Sequence, residues 1–383
     1  MQPLKPVKTT GLLLACAMML MACNNEKSDP EAEFDPQATF RFDTFGDEVL
    51  WTDTLRWNEV VTTVNPVTAL AVGLKVDSEV LPPGLLQTAD LDDPATTLEL
   101  LKLDAVVGIK ATVEEDGNVS KFGITCALCH STVDDSVAPG IGKRLDGWPA
   151  RDLDPGLIIS LSPFFDDKPQ LRAELQSWGK GKYDPFWNQD GINDPVLIPP
   201  AYGLKNLALA TYTGEGDISF WNAYVAITQM GGQGSFKSVE LGLDITADPD
   251  LVTPKLVALK TYQYSLQAPE AVAGSFDVSA AERGEVLFNG KASCTGCHSG
   301  DDFSDDLRHS PEQTGSDPDY AQRGSHIGSY RTAPLKGIWS HAPYFHNGAH
   351  ASLSDLVDHY DNVLMTGLNM TEKEDLVQYL KSL

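Results

Sequence analysis

Two short runs in the chain have the residue types and spacing for one particular covalent chemistry: Cys126-Ala-Leu-Cys129-His130 and Cys294-Thr-Gly-Cys297-His298. Two cysteines three positions apart lie on one side of a single helical turn. They can reach two vinyl groups on one porphyrin, and the histidine that follows points its imidazole at the iron from the same side. A zinc site separates its cysteine pair from its histidines, whereas here His abuts the second Cys in both copies. A thioredoxin-like pair needs no such histidine and normally occurs once. The expected cofactors are therefore two covalently bound haem c groups, with His130 and His298 as proximal iron ligands.

The ligand on the other face of each iron decides the chemistry. An iron closed on both faces mainly passes electrons, whereas an open face binds peroxide or dioxygen. The chain has eight histidines, His130, His298, His309, His326, His341, His346, His350 and His359, and none lies between the two motifs. Beyond the N-terminal apolar run the methionines are Met230, Met365 and Met370. The first iron can thus be closed from its own long segment only by Met230 or a weak ligand such as a tyrosine. An open or water-bound face is the expectation. The second motif is followed by six histidines, two methionines and Tyr360.

Several elements must position these residues. Val106 to Val113 is β-branched and meets the turn dipeptide Asp116-Gly117, and Val119 to Ile124 returns, so a hairpin is expected to run directly into the first motif. Asp217 to Met230 reads as helical. Ser279-Ala-Ala-Glu282 and Thr371-Glu-Lys-Glu374 read as capping boxes that open two helices, with a third over Ser352 to Tyr360. A haem motif soon after one helix, closed by a C-terminal helix, is similar to the class I cytochrome c fold, with the Gly284/Phe288 face packing on Val377, Tyr379 and Leu380. The expected fold is mainly α, with two cytochrome c-like haem domains, the N-terminal one enlarged by a β-hairpin and long loops. The expected limits are 1–22 signal peptide, 23–47 acidic linker, 48–270 N-terminal haem domain and 271–383 C-terminal cytochrome c domain.

Lys5 and Lys8 precede a short apolar run that ends at Leu20-Met21-Ala22-Cys23, which resembles a lipobox with Cys23 as the acylated residue. Such a chain is exported and anchored to the bacterial outer membrane, on its periplasmic or cell-surface side, through lipid alone. Removing 22 residues takes away two lysines and no acids, so 26 basic and 54 acidic side chains leave a formal charge of −28. That surface repels nucleic acid and attracts a basic electron-transfer partner. Of six cysteines, Cys16 falls in the apolar run and Cys23 in the lipobox, and the other four belong to the two motifs.

A family resemblance adds to this reading. Ala333-Pro-Leu-Lys-Gly-Ile-Trp-Ser-His-Ala-Pro-Tyr-Phe-His346-Asn-Gly, followed by Ser352-Leu-Ser-Asp-Leu-Val, resembles the signature of the dihaem bacterial cytochrome c peroxidase/MauG superfamily. The Gly-Ile-Trp within it is similar to the rubber oxygenases. Pro200-Ala-Tyr-Gly-Leu-Lys-Asn206 and Ser219-Phe-Trp221-Asn resemble weaker family segments. The resemblance implies that His130 serves a substrate-reacting haem and His298 an electron-receiving one, with Trp221 as relay between them. It places Gln229 as a polar residue over the first haem. It also puts Tyr360 where peroxidases carry a methionine ligand to the second iron, and MauG itself has a tyrosine there; His359 and Met365 are the neighbouring alternatives. The family's interdomain calcium would need an asparagine where Pro200 stands, although the carbonyls of His341 and Pro343 are retained. No counterpart of the peroxidases' removable histidine is present.

The expected function is reduction of hydrogen peroxide with electrons from a donor such as a small cytochrome or a cupredoxin. Two other readings are a dihaem carrier without enzymatic activity, and a dihaem oxygenase or MauG-like oxidase. Lys143, Arg144 and Arg151, shortly after His130, are candidates to pair with haem propionates.

Overall fold

The structure, a computed structural model, describes residues 34–383. The expected signal segment and the lipidation residue Cys23 lie outside the described residues. The expected mainly α fold holds in part: the described residues are mixed, with helices the larger component beside six two-stranded sheets. None of the helices there is long and apolar enough to cross a membrane.

The apolar side chains collect in two main clusters. The first runs from Phe40 to Leu259 and includes Trp51, Trp57, Phe122 and Leu128. The second runs from Phe288 to Leu380. A smaller group, Val196, Tyr320, Ala321 and Tyr330, lies apart from both. Each cysteine motif has partly buried cysteines packed on one of the two main clusters, Cys126 and Cys129 on the first and Cys294 on the second.

The hairpin forms as expected, from Ile109–Val113 and Val119–Ile124, paired antiparallel with Ile109 opposite Ile124. The expected acidic linker does not hold over residues 34–47. Pro36–Phe42 is a helix capped by the Asp35 carboxylate, and Phe40 and Phe45 are buried. The stretch carries four phenylalanines, Phe34, Phe40, Phe42 and Phe45, among its polar residues, and Phe40 packs on Tyr262 at 5.3 Å between ring centroids. Asp47 is drawn in with them and accepts the Ile124 N–H at 3.1 Å, tying this segment to the base of the hairpin.

The C-terminal unit follows the expected order, with different caps. Helix Val278–Asn289 is capped by Asp277, whose carboxylate accepts the Ala280 N–H, so Ser279 lies inside the helix. Helix Met370–Ser382 is capped by Asn369, reciprocally with Glu372, so Thr371 is likewise internal. An aspartate or asparagine two residues upstream supplies the same side-chain oxygen as Ser or Thr, and it wins where the chain is already extended. Helix Leu353–Leu364 begins at Ser352 as expected and runs four residues further than Tyr360. Helices 278–289 and 370–382 cross at Gly284, where a Cβ would stand 2.2 Å from the Asp375 carbonyl oxygen. Phe288 meets Tyr379 at 5.2 Å beside this crossing.

Two outcomes follow for stability. Gly284→Ala forces the helices apart and should cost roughly 1–3 kcal/mol in denaturant unfolding, the range for an overpacked core. Asp47 has its pKa pushed up to about 9 by burial. It is therefore protonated in the folded chain and ionised in the unfolded one at neutral pH, so the unfolded state binds fewer protons. Its stabilising contribution is complete below about pH 4 and is lost as pH rises towards 9, with a slope of at most about 1.4 kcal/mol per pH unit. Asp47→Asn should flatten this alkaline decline in thermal melts. A decline as steep as that of the unaltered protein would place its origin elsewhere.

Candidate haem sites

The first motif sits at the foot of the hairpin. Residues Ala127–His130 form one helical turn, pressed so closely on Gly108 that a Cβ there would stand 2.2 Å from the Leu128 backbone. Gly108 also has φ +80°, so only glycine suits this junction. The Thr125 N–H donates to the Gly108 carbonyl at 2.9 Å. His130 Nδ1 lies 3.1 Å from the Pro199 carbonyl oxygen. A carbonyl only accepts, so Nδ1 carries the proton and the Nε2 lone pair is free for a metal.

The second motif repeats this device with different local structure. Cys294–Gly296 is a 3-10 turn, and His298 Nδ1 lies 2.9 Å from the Phe303 carbonyl oxygen. Burial lowers both imidazole pKa values, that of His130 to about 4, which keeps the rings neutral as ligation requires. Burial also pushes the Cys126 and Cys129 thiols up to about 12 and Cys294 to about 11. A dithiol poised for exchange needs the opposite shift, so the surroundings disfavour a thioredoxin-like pair. None of these four cysteines is paired in a disulfide among the described residues.

A cavity of about 480 Å³ adjoins the second motif, lined by Cys294, His298, Phe288, Leu335, Ile338 and Tyr360 among others. Its thiol, its neutral imidazole and its apolar wall fit a c-type haem. Of the three candidates for the second axial position, only Tyr360 reaches this cavity. His359 turns away, with Nε2 2.8 Å from the Thr314 carbonyl oxygen. Met365 is 87% exposed. The other histidines are engaged elsewhere: His309 with Thr332 and Asp305, His326 with Glu215, His341 with Tyr202, and His350 with the rings of Phe345 and His359. His346 stacks on Tyr320 at 4.6 Å, and neither ring nitrogen finds a hydrogen-bond partner among the described residues.

Around the first motif the residues are arranged differently. Met230 is buried, and its carbonyl accepts the Trp51 indole N–H at 2.9 Å. Helix Ile218–Tyr224, capped by Asp217, continues as a π-helical stretch over Val225–Gln229. Trp221 is buried against Phe186, Phe220 and Tyr224, and its indole nitrogen has no hydrogen-bond partner among the described residues. Both ends of the Gln229 amide are engaged. Its oxygen accepts the Tyr183 hydroxyl at 3.0 Å, and its nitrogen donates to Asn188 and Thr228. Tyr183 was not singled out in the sequence. It lies in a two-residue strand, Lys182–Tyr183, too short to show a period, and burial raises its pKa.

Arg144 is buried and paired with Asp77, its Nε 2.9 Å from the carboxylate. Lys143 is exposed. Arg151 has two guanidinium nitrogens, Nε and Nη1, without a hydrogen-bond partner among the described residues, and Arg144 has one, Nη1. The Arg151 Nη2 donates to the His341 carbonyl oxygen at 3.1 Å. That carbonyl is one that an interdomain calcium would share, and Pro200 offers no side-chain oxygen. The donors therefore do not fit a calcium ion; an arginine cation already occupies the carbonyl.

Residues 329–362 match the family described as RoxA-like, cytochrome c-like. Methylamine utilization protein MauG of Methylorubrum extorquens is 33% identical over 153 residues, covering 33% of this chain and 42% of that protein. Cytochrome-c peroxidase IdrP1 of a Pseudomonas species is 29% identical over 148 residues, covering 27% of this chain and 39% of that protein. A solved MauG-like protein associated with microbial copper homeostasis aligns over 51% of this chain and 75% of its own, at 17% identity and a TM-score of 0.37. The chain spans about two fifths of the length of the curated relatives it matches. The segment around His346 is thus cytochrome c-like, with c-type haem as the cofactor class. About a third of the chain is similar to members of the dihaem cytochrome c peroxidase/MauG superfamily, with a RoxA-like match over residues 329–362.

Tyr360→Phe keeps the ring in the second cavity and removes only the hydroxyl. The optical and EPR signature assigned to the second haem should change, with the first unaltered. Identical spectra before and after the substitution would remove Tyr360 as a ligand.

Proposed function

We propose that the chain is an exported dihaem c-type cytochrome oxidoreductase. In this reading it reduces peroxide at the first motif, with electrons received at the second from a small basic cytochrome or cupredoxin. Cys23 would hold it to the outer membrane by lipid. The observation that carries the reading is the inequality of the two sites. Tyr360 stands ready on the wall of the second cavity beside Cys294 and His298. At the first motif, Met230 is locked in the core, and no histidine lies in the segment between the motifs.

Bound haem supplies one-electron redox chemistry and, where a face is open, a place for peroxide. The protein's part is to hold His130 and His298 in the ligating tautomer through the Pro199 and Phe303 carbonyls. Gln229 is kept in one orientation by Tyr183, Asn188 and Thr228. With both its amide ends engaged, Gln229 acts as a fixed dipole, and the Tyr183–Gln229 pair is the polar group nearest in kind to what proton delivery needs. The formal charge of −28 expected after export suits a basic donor. The placement of Tyr360 also supports a second reading, a MauG-like oxidase acting on a protein substrate. Turnover of peroxide with a reduced cytochrome, rather than with a protein to be modified, separates the two.

Spectroscopy of the ferric protein tests the inequality. One high-spin centre that binds cyanide and, when reduced, carbon monoxide is expected beside one low-spin centre. Two low-spin centres that bind neither would leave only the electron carrier.

A further inference from the structure

Trp148 rides on the first motif. The Gly147 N–H donates to the His130 carbonyl at 2.8 Å and the Ala150 N–H to the Cys129 carbonyl at 2.9 Å, so the residues on either side of Trp148 are pinned to the haem-binding turn. Tyr202 is fixed to the same turn. The Ala201 N–H donates to the Gly147 carbonyl at 2.8 Å, and the nearby Pro199 carbonyl holds the His130 ring. On the other side, Leu335 and Ile338 line the second cavity, Trp339 directly follows Ile338, and His341 comes two residues later. The rings of the two sides meet. Trp148 lies 6.1 Å from Trp339 and 6.1 Å from Tyr202 between centroids, both edge to face. The Tyr202 hydroxyl is 2.7 Å from His341 Nε2 and 3.1 Å from the Ser340 hydroxyl. Room for this contact depends on Gly337, where a Cβ would stand 3.1 Å from the Tyr202 oxygen.

Trp221 keeps different company. Its ring neighbours, Phe186, Phe220 and Tyr224, all belong to the first core. Burial and the Arg151 cation lower the His341 pKa to about 3, while burial raises that of Tyr202 to about 12. Tyr202 is therefore the donor and neutral His341 the acceptor across neutral pH, and the contact does not come and go with protonation.

We propose that Trp148, Tyr202, Trp339 and His341 form the electron bridge between the two haem motifs. The inference rests on the dihaem reading and names the side chains that would serve it. One electron leaves the side of the second motif and arrives at the side of the first. Oxidation on one side balances reduction on the other, no bond is made or broken within the bridge, and the Tyr202 proton stays in its hydrogen bond. Contacting π systems carry an electron across a gap more readily than saturated side chains do. The His130–Pro199 and Tyr202–His341 hydrogen bonds close what remains of the path.

The test uses the full haem-loaded protein. The second centre is reduced first, and the crossing of the electron to the first is followed by time-resolved absorbance. Trp339→Leu and Trp148→Leu should each slow the crossing by about tenfold or more, equivalent to about 1.4 kcal/mol on its barrier. Trp339→Tyr should restore most of the rate. The static spectra and potentials of both haems should not move, which a merely structural role would not predict. Should the leucine variants fail to fold, Trp339→Tyr, Trp148→Phe and Tyr202→Phe, which keep an aromatic ring, carry the test through graded slowing. Crossing at the unaltered rate in every bridge variant overturns the proposal. So does slowing confined to Trp221→Phe, which would place the path in the first core. The pyridine haemochrome and the intact mass report haem content separately: one haem per chain defeats the dihaem reading itself, and the bridge falls with it.

Discussion

The hydrogen bond from a histidine ring to a backbone carbonyl is the contact on which both sites depend. A free imidazole chooses between two tautomers and many orientations. The Pro199 carbonyl removes that choice for His130, and the Phe303 carbonyl removes it for His298. The two solutions differ in reach. Phe303 is five residues from its histidine, so the second site is built almost entirely by local chain. Pro199 is 69 residues from His130, so the first site exists only once the long intervening segment has folded back on the motif.

That difference propagates outward. The segment that returns to deliver Pro199 also brings Tyr202 and the strand around Leu197, and the Leu197 N–H donates to the His346 carbonyl at 2.7 Å. Arg151 reaches the His341 carbonyl from the first motif's side. Arg323, from the C-terminal half and partly buried, pairs with buried Asp184 at 2.9 Å and with exposed Asp190 at 2.7 Å. Holding buried charges together requires that each be paired and hydrogen-bonded. Arg323 meets that condition through two carboxylates and the carbonyls of Ile192 and Asp194. Arg151 does so only in part, and its unpaired nitrogens suit the carboxylates a haem carries.

The relation to known proteins is uneven along the chain. The recognisable part is the segment around His346, where the cytochrome c-like family matches. The N-terminal half, with its hairpin, buried N-terminal helix and long excursion, is where the fold does most to distinguish the first site from the second. Both sites bear on the choice between the readings: Tyr360 on the wall of the second cavity, and the long excursion that returns to the first motif through Pro199.

The sequence by itself determined the local chemistry. CxxCH is a contiguous pattern whose geometry is set by one helical turn, and the hairpin before it and the start of the helix near Ser352 were legible for the same reason, since each depends on residues a few positions apart. Helix caps at Asp277 and Asn369 were misplaced by two residues because Asp, Asn, Ser and Thr compete for one role and only the backbone path decides among them. Residues 34–47 looked like a linker because their composition is acidic, but composition does not reveal that Phe40 and Phe45 have a core to enter. Only the tertiary structure put Tyr360, and not His359 or Met365, on the wall of the second cavity, engaged both ends of Gln229, and set Arg151 on the His341 carbonyl. It also brought Trp148 against Trp339, 191 positions apart in the sequence. Contacts of that separation leave no periodic trace in a single chain; they depend on the burial of surfaces that meet only after folding.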